Sequence, residues 1–219
     1  LFAGILMASG PVFAQSESSG ESSSGGAGSG DLLIELTGSP FNTGGGLLNF
    51  SEFRTRFFLN DIMAVRLGIA MNLDNTQTTP DVVVNNSSYS IMPGFEYHLV
   101  NEGAFRAYGA ADLMVGHRIA NYSSSTGPSV VGAASIPSSP TAFISNRGYF
   151  QLGARVSAGV EYHFNSRFYI GGEVGFQYIY QKNAEVSVDG ELWQESTTDN
   201  FGFLTTANSI KIGFKFLNF

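Results

Sequence analysis

The stretch Met63–Leu73, with the sequence MAVRLGIAMNL, decides the fold. Its odd-numbered positions carry Met, Val, Leu, Ile, Met and Leu, whereas its even-numbered positions carry Ala, Arg, Gly, Ala and Asn. One side of the segment is therefore apolar, and the other is small or polar. A β-strand produces this two-residue period because successive side chains point to opposite faces, whereas a helix does not. The stretch predicts a strand with one wholly apolar face.

Similar two-faced segments recur from Asp31 to the end of the chain, and together they make eight predicted strands. Short connections alternate with long ones that are rich in Ser, Thr, Asn and Gly. An even strand number with short turns at one end and long loops at the other is typical of bacterial outer-membrane barrels. We therefore expect an all-β fold, an eight-stranded antiparallel up-and-down transmembrane β-barrel with its loops on the cell surface. The predicted turns are 59–61, 100–103 and 165–166, and the predicted long loops are 38–48, 74–87, 119–147 and 183–203.

The composition supports a membrane barrel over a soluble β-protein. Of the 219 residues, 43% are hydrophobic and only 13% are charged, whereas a soluble domain carries roughly a quarter charged residues. Beyond the N-terminal stretch, no run of about 18 apolar residues predicts a transmembrane helix. A soluble barrel of the lipocalin type is the alternative, but its large apolar face would have to point inward. The interior of eight strands is too narrow for that face.

Charge and cysteine content exclude several classes of function. The formal net charge of −7 argues against nucleic-acid binding, which needs clustered Lys and Arg. The absence of Cys excludes disulfides, thiolate metal sites and a lipoprotein anchor. No pair of His residues has a metal-ligand spacing within one strand, and no glycine loop that could bind phosphate precedes a helix. We therefore expect neither a cofactor nor a metal site.

The chain before Asp31 does not resemble the barrel. Residues 1–14, LFAGILMASGPVFA, combine an apolar run with a small-residue ending, and they predict a signal peptide truncated at its N-terminus. A buried N-terminal helix is the alternative. Residues 15–30 are rich in Ser and Gly and predict a disordered linker. The predicted barrel domain is 31–219.

The polar faces of the strands carry most of the basic residues of the chain. Collected together, the presumed inward positions hold seven cations and six anions. The interior of eight strands is just wide enough for its own side chains, and an isolated buried charge costs several kcal/mol. We therefore expect a salt-bridge network that plugs the lumen, with a gated ion path through it as the alternative. The predicted lumen residues are Glu35, Glu52, Arg54, Arg56, Arg66, Glu96, Arg106, Asp112, Arg155, Glu161, Glu173, Lys211 and Lys215.

Two segments resemble a known family. The run Phe57–Gly68 and the aromatic strand Ile210–Phe219 resemble the OmpA-like eight-stranded outer-membrane β-barrel family, in the form common among Bacteroidetes. The resemblance covers about residues 31–219 and implies the bacterial outer membrane as the location. It also implies that the barrel-assembly machinery reads Phe219 as an assembly signal. OmpA itself carries a peptidoglycan-binding domain after the barrel, whereas this sequence stops at Phe219, so wall anchoring is not expected.

The three histidines argue against catalysis. Some eight-stranded outer-membrane barrels modify lipid A, and such a site combines a His, a Ser and a carboxylate near the outer rim. His98 and His163 precede short turns, which places them at the periplasmic rim. His117 is two positions from Val115, so it lies on the same face of the strand and is expected to face lipid headgroups. We therefore expect no catalytic residues and no enzymatic activity.

The long loops remain as the expected functional surface, because binding specificity usually resides in loops carried by a rigid scaffold. We expect a structural or surface-interaction role, with outer-membrane lipid, lipopolysaccharide and an unknown surface or outer-membrane protein as partners. The alternatives are a narrow gated channel for small solutes or ions and, less favoured, a lipid A-modifying enzyme. The acidic residues of 183–203 are interpreted as solvated surface charge. The more specific alternative is that divalent cations bridge them to lipopolysaccharide. The candidate contact residues are Tyr122, Phe143, Trp193 and Phe201.

Overall fold

The computed structural model describes residues 27–40, 48–138, 144 and 146–218, and twelve strands lie in these ranges. Within these ranges, no helix is long and apolar enough to cross a bilayer. All the strand pairings are antiparallel and belong to one sheet. The strands are β1 (Asp31–Pro40), β2 (Leu48–Asn60), β3 (Met63–Asn72), β4 (Asn75–Thr79), β5 (Val82–Glu102), β6 (Phe105–Ser124), β7 (Val130–Val131), β8 (Tyr149–His163), β9 (Phe168–Asn183), β10 (Val186–Val188), β11 (Glu191–Gln194) and β12 (Thr197–Asn218).

Eight of the strands form a closed ring in the order β1, β2, β3, β5, β6, β8, β9 and β12. The ring closes because β12 pairs with β1, from Asp31 opposite Asn218 to Gly38 opposite Ile210. Each strand of the ring is the neighbour of the next ring strand along the chain, which is the up-and-down arrangement. The prediction of an eight-stranded antiparallel barrel is therefore confirmed.

The two faces of each ring strand differ as the alternation predicts. In β3, Val65 and Leu67 are 42% and 39% exposed on the outside, whereas Arg66 between them is only 3% exposed. Large apolar side chains on the outside and charges on the inside are the inverse of a soluble barrel. A bilayer accommodates this distribution, because lipid solvates the apolar face and the closed ring leaves no backbone edge unpaired. The soluble-barrel alternative is therefore wrong.

The short turns are confirmed, but the long loops are shorter than predicted. Strands continue into 74–87, 119–147 and 183–203, where the sequence analysis expected only loops. β5 begins at Val82, and its outer end pairs with β4 on one side and with the outer end of β6 on the other. The run Val82–Val84 consists of β-branched residues, which favour extended backbone. The prediction failed here because both faces of these extensions are mostly polar, so the two-residue period disappears.

Beyond the ring, the extensions form an open sheet of six strands, here called the outer sheet. It consists of β4, the outer ends of β5 and β6, and then β7, β10 and β11. A small apolar cluster of Val130, Ala133, Ile144 and Val186 holds it together. The outer sheet is therefore a folded platform with its own core.

The opposite end of the barrel is covered by the residues just before β1. The Gly30 amide donates to the Phe58 carbonyl at 2.9 Å, and Ala27 is buried against Leu33, Phe58 and Ala64. Residues 27–30 of the predicted linker thus lie against the ring. The predicted signal peptide 1–14 and the rest of the linker fall outside the described residues and stay predictions.

Candidate functional site

The candidate site is the charged interior of the ring. Successive side chains of a strand alternate between its faces, so each charged residue between two lipid-facing ones projects into the lumen. The structure places all thirteen predicted lumen residues on this inner side. Twelve of them form the central group, and Lys215 lies at the periplasmic end, where its Nζ is 2.5 Å from Asp31 Oδ2.

Arg56 is the centre of the lower half of the network. Its Nη1 donates to Glu35 Oε1 at 2.6 Å and to Glu161 Oε1 at 2.7 Å, and its Nη2 donates to Glu96. Lys211 adds a second cation, because its Nζ donates to Glu161 and lies 3.6 Å from Glu35. All five side chains are fully buried. Because charged hydrogen bonds strengthen where water is absent, this cluster fixes the relative positions of strands from around the ring.

Arg66 is the centre of the upper half. Its Nε and Nη2 each donate to Asp112 at 2.6 Å, a bidentate pair, and its Nη1 donates to Glu173 at 2.9 Å. Arg54 donates to the same Glu173 oxygen at 3.1 Å. Arg66 stands directly opposite Arg56 in the β2–β3 register. Like charges in that position repel, so the carboxylates that surround both guanidinium groups are necessary for the fold.

Arg106 is the least satisfied member of the network. It is buried opposite Glu161 in the β6–β8 register, and its guanidinium carbon lies 5.7 Å from the centre of the Phe58 ring. Its Nε and Nη1 have no hydrogen-bond partner among the described residues. With Arg106 included, six cations face six carboxylates in the central group, so its formal charge is zero.

The sequence analysis missed two tyrosines that belong to the network. The Tyr169 hydroxyl donates to Glu35 Oε1, and the Tyr108 hydroxyl donates to Glu173 Oε2, both at 2.6 Å. In the alternation of side chains, both residues fall on the face of the strand that points into the lumen. This position in the sequence could have identified them. His98 and His163 also lie inside the ring, with Nε2 atoms 2.7 Å from Glu96 and 3.3 Å from Glu161.

Glycines on neighbouring strands make room for the two tyrosines. Gly159 stands opposite Tyr108 and Gly213 stands opposite Tyr169 in the register. A Cβ atom at Gly213 would lie 1.9 Å from Cζ of Tyr169, and one at Gly159 would lie 2.2 Å from Cζ of Tyr108. The lumen can hold these rings only because the facing residues have no side chain.

Apolar side chains bound the charged centre at both ends. Met92, Met114 and Ile179 form a buried cluster on the extracellular side. Leu33, Phe58 and Ala64 form another on the periplasmic side, and Ala27 covers it. The lumen is therefore filled by three layers, of which the two outer ones are apolar.

The predicted contact residues of the loops have different positions. Tyr122 and Trp193 pack against the apolar cluster of the outer sheet, so each ring is partly buried. Phe201 lies in β12 with its backbone opposite Ile179, whereas Phe143 and the predicted assembly signal Phe219 lie outside the described residues.

Arg147 joins two of the predicted loops. Its Nε donates to the Ala184 carbonyl at 3.0 Å, and its Nη2 donates to the Ala184 and Glu195 carbonyls. Burial lowers the pKa of the guanidinium, and the Asp199 carboxylate acts in the opposite direction. Arg147 thus links the loop after β6 to the loop after β9.

The acidic side chains of the last long loop are spread over the outer sheet. Asp189 Oδ1 accepts a hydrogen bond from the Ser129 amide at 2.8 Å, and Asp199 Oδ2 accepts one from Asn183 at 2.7 Å. Glu185, Glu191 and Glu195 are exposed. Across the described part of the chain, no group of three or more His, Cys, Asp or Glu side chains is arranged to hold a metal ion.

His117 points outward and stacks on Tyr89, with 5.7 Å between the ring centres. It lies within β6, since the strand continues to Ser124.

Comparison with known proteins gives one family match. The model of a family described as the putative OmpA-OmpF-like porin family matches residues 42–216. A comparison with curated proteins finds no match.

Several solved structures are similar to the chain at low identity. The N-terminal β-barrel domain of OprF from Pseudomonas aeruginosa is 16% identical, with a TM-score of 0.45, over 87% of this chain and all of that one. OprG from the same organism is 13% identical, with a TM-score of 0.46, over 88% of this chain and 98% of that one. Ail, the attachment invasion locus protein of Yersinia pestis, is 15% identical, with a TM-score of 0.40, over 85% of this chain and 97% of that one.

Proposed function

The chain belongs to the putative OmpA-OmpF-like porin family, and on that premise we propose that it is a structural outer-membrane barrel with a closed lumen and a partner-binding cell surface. As a member of that family with a ring of eight strands, it is an integral protein of the bacterial outer membrane. The closed lumen and the surface role are the proposal.

The observation that supports a closed lumen is the equal number of positive and negative charges in the buried network. Six cations and six carboxylates balance in formal charge inside the ring, five of the cations form ion pairs there, and apolar clusters lie above and below them. A permeating ion would have to displace paired groups, and breaking a buried pair costs about 3–5 kcal/mol. A constitutive pore is therefore disfavoured, and the network acts as a brace between strands.

Conductance across a planar lipid bilayer tests this proposal. The purified full chain is expected to give no discrete current steps, while an open porin at the same protein-to-lipid ratio reports that insertion and detection work. Co-flotation of the protein with vesicles of the same lipid verifies that the silent sample contains inserted barrels. Reproducible steps from the wild-type chain would contradict the closed lumen.

The second candidate is a narrow gated channel for small solutes or ions, which the word porin in the family description favours. Unpaired nitrogens of Arg106 inside the lumen also favour it, because a group without a partner can move at lower cost. This candidate predicts current steps that appear above a threshold voltage. It also predicts that Arg106→Met changes this threshold voltage.

We propose no enzymatic activity. His117 is the histidine nearest the outer rim, and its ring faces outward against Tyr89. Mass spectrometry of lipid A incubated with the reconstituted protein tests this. An unchanged mass spectrum supports the proposal, and loss of an acyl chain or phosphate contradicts it.

We assign the surface role to the outer sheet and its loops. The proposed contact residues are Tyr122, Phe143, Trp193 and Phe201, and the proposed partners are lipopolysaccharide and an outer-membrane or surface protein. Folding of the outer sheet around its own cluster supports this role, since a rigid platform loses little entropy on binding. Crosslinking on intact cells, with Val131→Lys on the exposed side of the sheet as the matched variant, tests it. A protein crosslinked to the wild type and lost in the variant is the expected result, and an unchanged pattern contradicts it.

A further inference from the structure

A row of four outward side chains runs across neighbouring strands near the extracellular rim. In the strand register, Tyr89 stands opposite His117, His117 opposite Phe150, and Phe150 opposite Lys182. Adjacent strands are about 4.8 Å apart, so the basic groups of His117 and Lys182 start from backbone positions about 10 Å apart. Both side chains can therefore reach one ligand that lies between them, over Phe150.

Aromatic side chains place this row at the level of the lipid headgroups. Tyr178 and Tyr180 are 52% and 40% exposed on the outer face of β9, and Lys182 is the next outward residue after them. Tyrosines on the lipid-facing side of a barrel form the girdle at the membrane–water interface. Lys182 therefore lies just outside the hydrocarbon region.

The row is also where basic side chains reach the outside of the barrel. On the outward positions of the described ring strands, His117 and Lys182 are the basic residues, and the others are apolar, aromatic, small or polar. A cation on the lipid face costs free energy in the hydrocarbon region and is favourable beside a lipid phosphate. Their placement at one level thus points to an anionic headgroup.

A groove of about 450 Å³ opens at this row, between the ring and the outer sheet. His117, Phe150 and Lys182 line it, together with Arg118, Val131 and Glu185. Arg118 donates to the amide oxygens of Asn86 and Asn146, which carry no charge. Among the described residues, no carboxylate pairs with Arg118 or Lys182. The groove therefore presents the Lys182 ammonium and the His117 imidazole beside one carboxylate, that of Glu185.

We propose that this groove binds the phosphate of an anionic glycolipid of the outer leaflet. Lys182 pairs with the phosphate, His117 donates a hydrogen bond to it, and the exposed Phe150 ring packs against the sugar or the first acyl carbons. A lipid is favoured over a free anion because the exposed Tyr178 and Tyr180 place the groove at the membrane interface. A lipid already lies in the bilayer at the mouth of the groove. This inference rests on the proposed role of lipopolysaccharide as a partner, and it does not depend on whether the lumen conducts.

Native mass spectrometry of the full chain, released from phosphatidylcholine nanodiscs that contain bis-phosphorylated lipid A, tests the proposal. The wild type is expected to retain one lipid A. Lys182→Gln should weaken that binding roughly fivefold, the factor expected from one lysine–phosphate attraction at a membrane surface. Arg167→Gln is the matched control, because it removes one positive charge from an exposed periplasmic turn. It should leave binding unchanged.

Two further arms separate the sources of the phosphate. Lipid A without phosphates should bind no better to the wild type than to Lys182→Gln, and inorganic phosphate should not displace the bound lipid. Circular dichroism of both variants verifies that the barrel is folded. The proposal is overturned if Lys182→Gln binds like the wild type, if Arg167→Gln loses binding equally, or if inorganic phosphate displaces the lipid at the concentration of the lipid itself.

Discussion

Single residues in the lumen are held by several partners at once, and this determines what each substitution costs. Arg56 reaches three carboxylates from three different strands, and the Tyr169 hydroxyl lies 3.2 Å from its Nη1. Removing its charge would leave those carboxylates in an interior that water does not reach. The loss therefore exceeds that of a surface ion pair, for which the median contribution is about 0–1 kcal/mol.

Arg56→Met is expected to lower the free energy of unfolding by about 3–5 kcal/mol, because it leaves buried carboxylates without their partner. Urea unfolding in phospholipid vesicles, followed by the circular dichroism of the barrel strands, measures the change. Arg167→Met on the exposed turn is the control and should change stability by less than about 0.5 kcal/mol. Equal effects of the two variants would show that the network does not stabilise the barrel.

The glycines that face the lumen lead to a second prediction. Gly213→Ala places a Cβ 1.9 Å from the Tyr169 ring and is expected to destabilise the barrel by about 1–3 kcal/mol through overpacking. Gly172→Ala is the matched control, because its nearest neighbour would be 3.9 Å away, at the Ser209 carbonyl. The same vesicle titration compares them, and a Gly213→Ala variant as stable as Gly172→Ala would contradict the crowding.

Substitutions at outward positions of single strands test which side chains face lipid. Leu67→Arg, near the middle of β3, is expected to cost about 2–4 kcal/mol because it puts a charge into hydrocarbon. Leu99→Arg, at the periplasmic end of β5, should cost no more than about 1 kcal/mol because the side chain reaches water. Refolding yields and unfolding free energies in vesicles measure both. If the two positions cost the same, Leu67 is not at the membrane centre.

The outer sheet depends on Arg147, whose guanidinium joins two loops through the Ala184 and Glu195 carbonyls. Arg147→Gln is expected to speed hydrogen exchange of β7, β10 and β11 by about tenfold, which corresponds to about 1.4 kcal/mol of local stability. Exchange in β8 and β9 should stay slow. Lys182→Gln serves as the control variant, and protection of the outer sheet that survives Arg147→Gln would contradict this role.

The alternation of side chains predicted the strands inside the membrane well and their outer ends poorly. Val65 and Arg66 differ because one faces lipid and the other faces the lumen, and this difference is present in the sequence. Val82–Ser88 extends above the membrane, where water lies near both faces and the two-residue period carries no information. The predicted membership of the OmpA-like family is confirmed by the family match over residues 42–216.

The candidate site was predictable as a set of residues but not as a set of contacts. Parity assigns Arg66 and Glu173 to the lumen, yet these residues lie 107 positions apart in the chain. Which carboxylate meets which guanidinium depends on strand tilt and stagger, which a local pattern does not encode. Tyr108 and Tyr169 were missed because only charged side chains were collected for the lumen, although both tyrosines lie on the inward face of their strands.

The whole molecule depends on one long-range pairing, between β1 and β12. Ile34→Pro removes a backbone donor in the middle of β1, where Ile34 stands between Thr55 and Phe214. It is expected to prevent ring closure and to abolish protease resistance in vesicles. Asn75→Pro, at the first residue of edge strand β4, should leave the barrel intact. A closed, protease-resistant Ile34→Pro variant would contradict the importance of this pairing.

The same pairing constrains how a cell can produce the protein. Translation releases β1 first and β12 last, so the first strand has an open hydrogen-bonding edge for almost the whole of synthesis and export. Such an edge, lined by side chains suited to lipid, is prone to aggregate with other chains in an aqueous compartment. We therefore expect the export of this barrel to depend on a factor that shields the unpaired edge of β1 until β12 has arrived at the membrane.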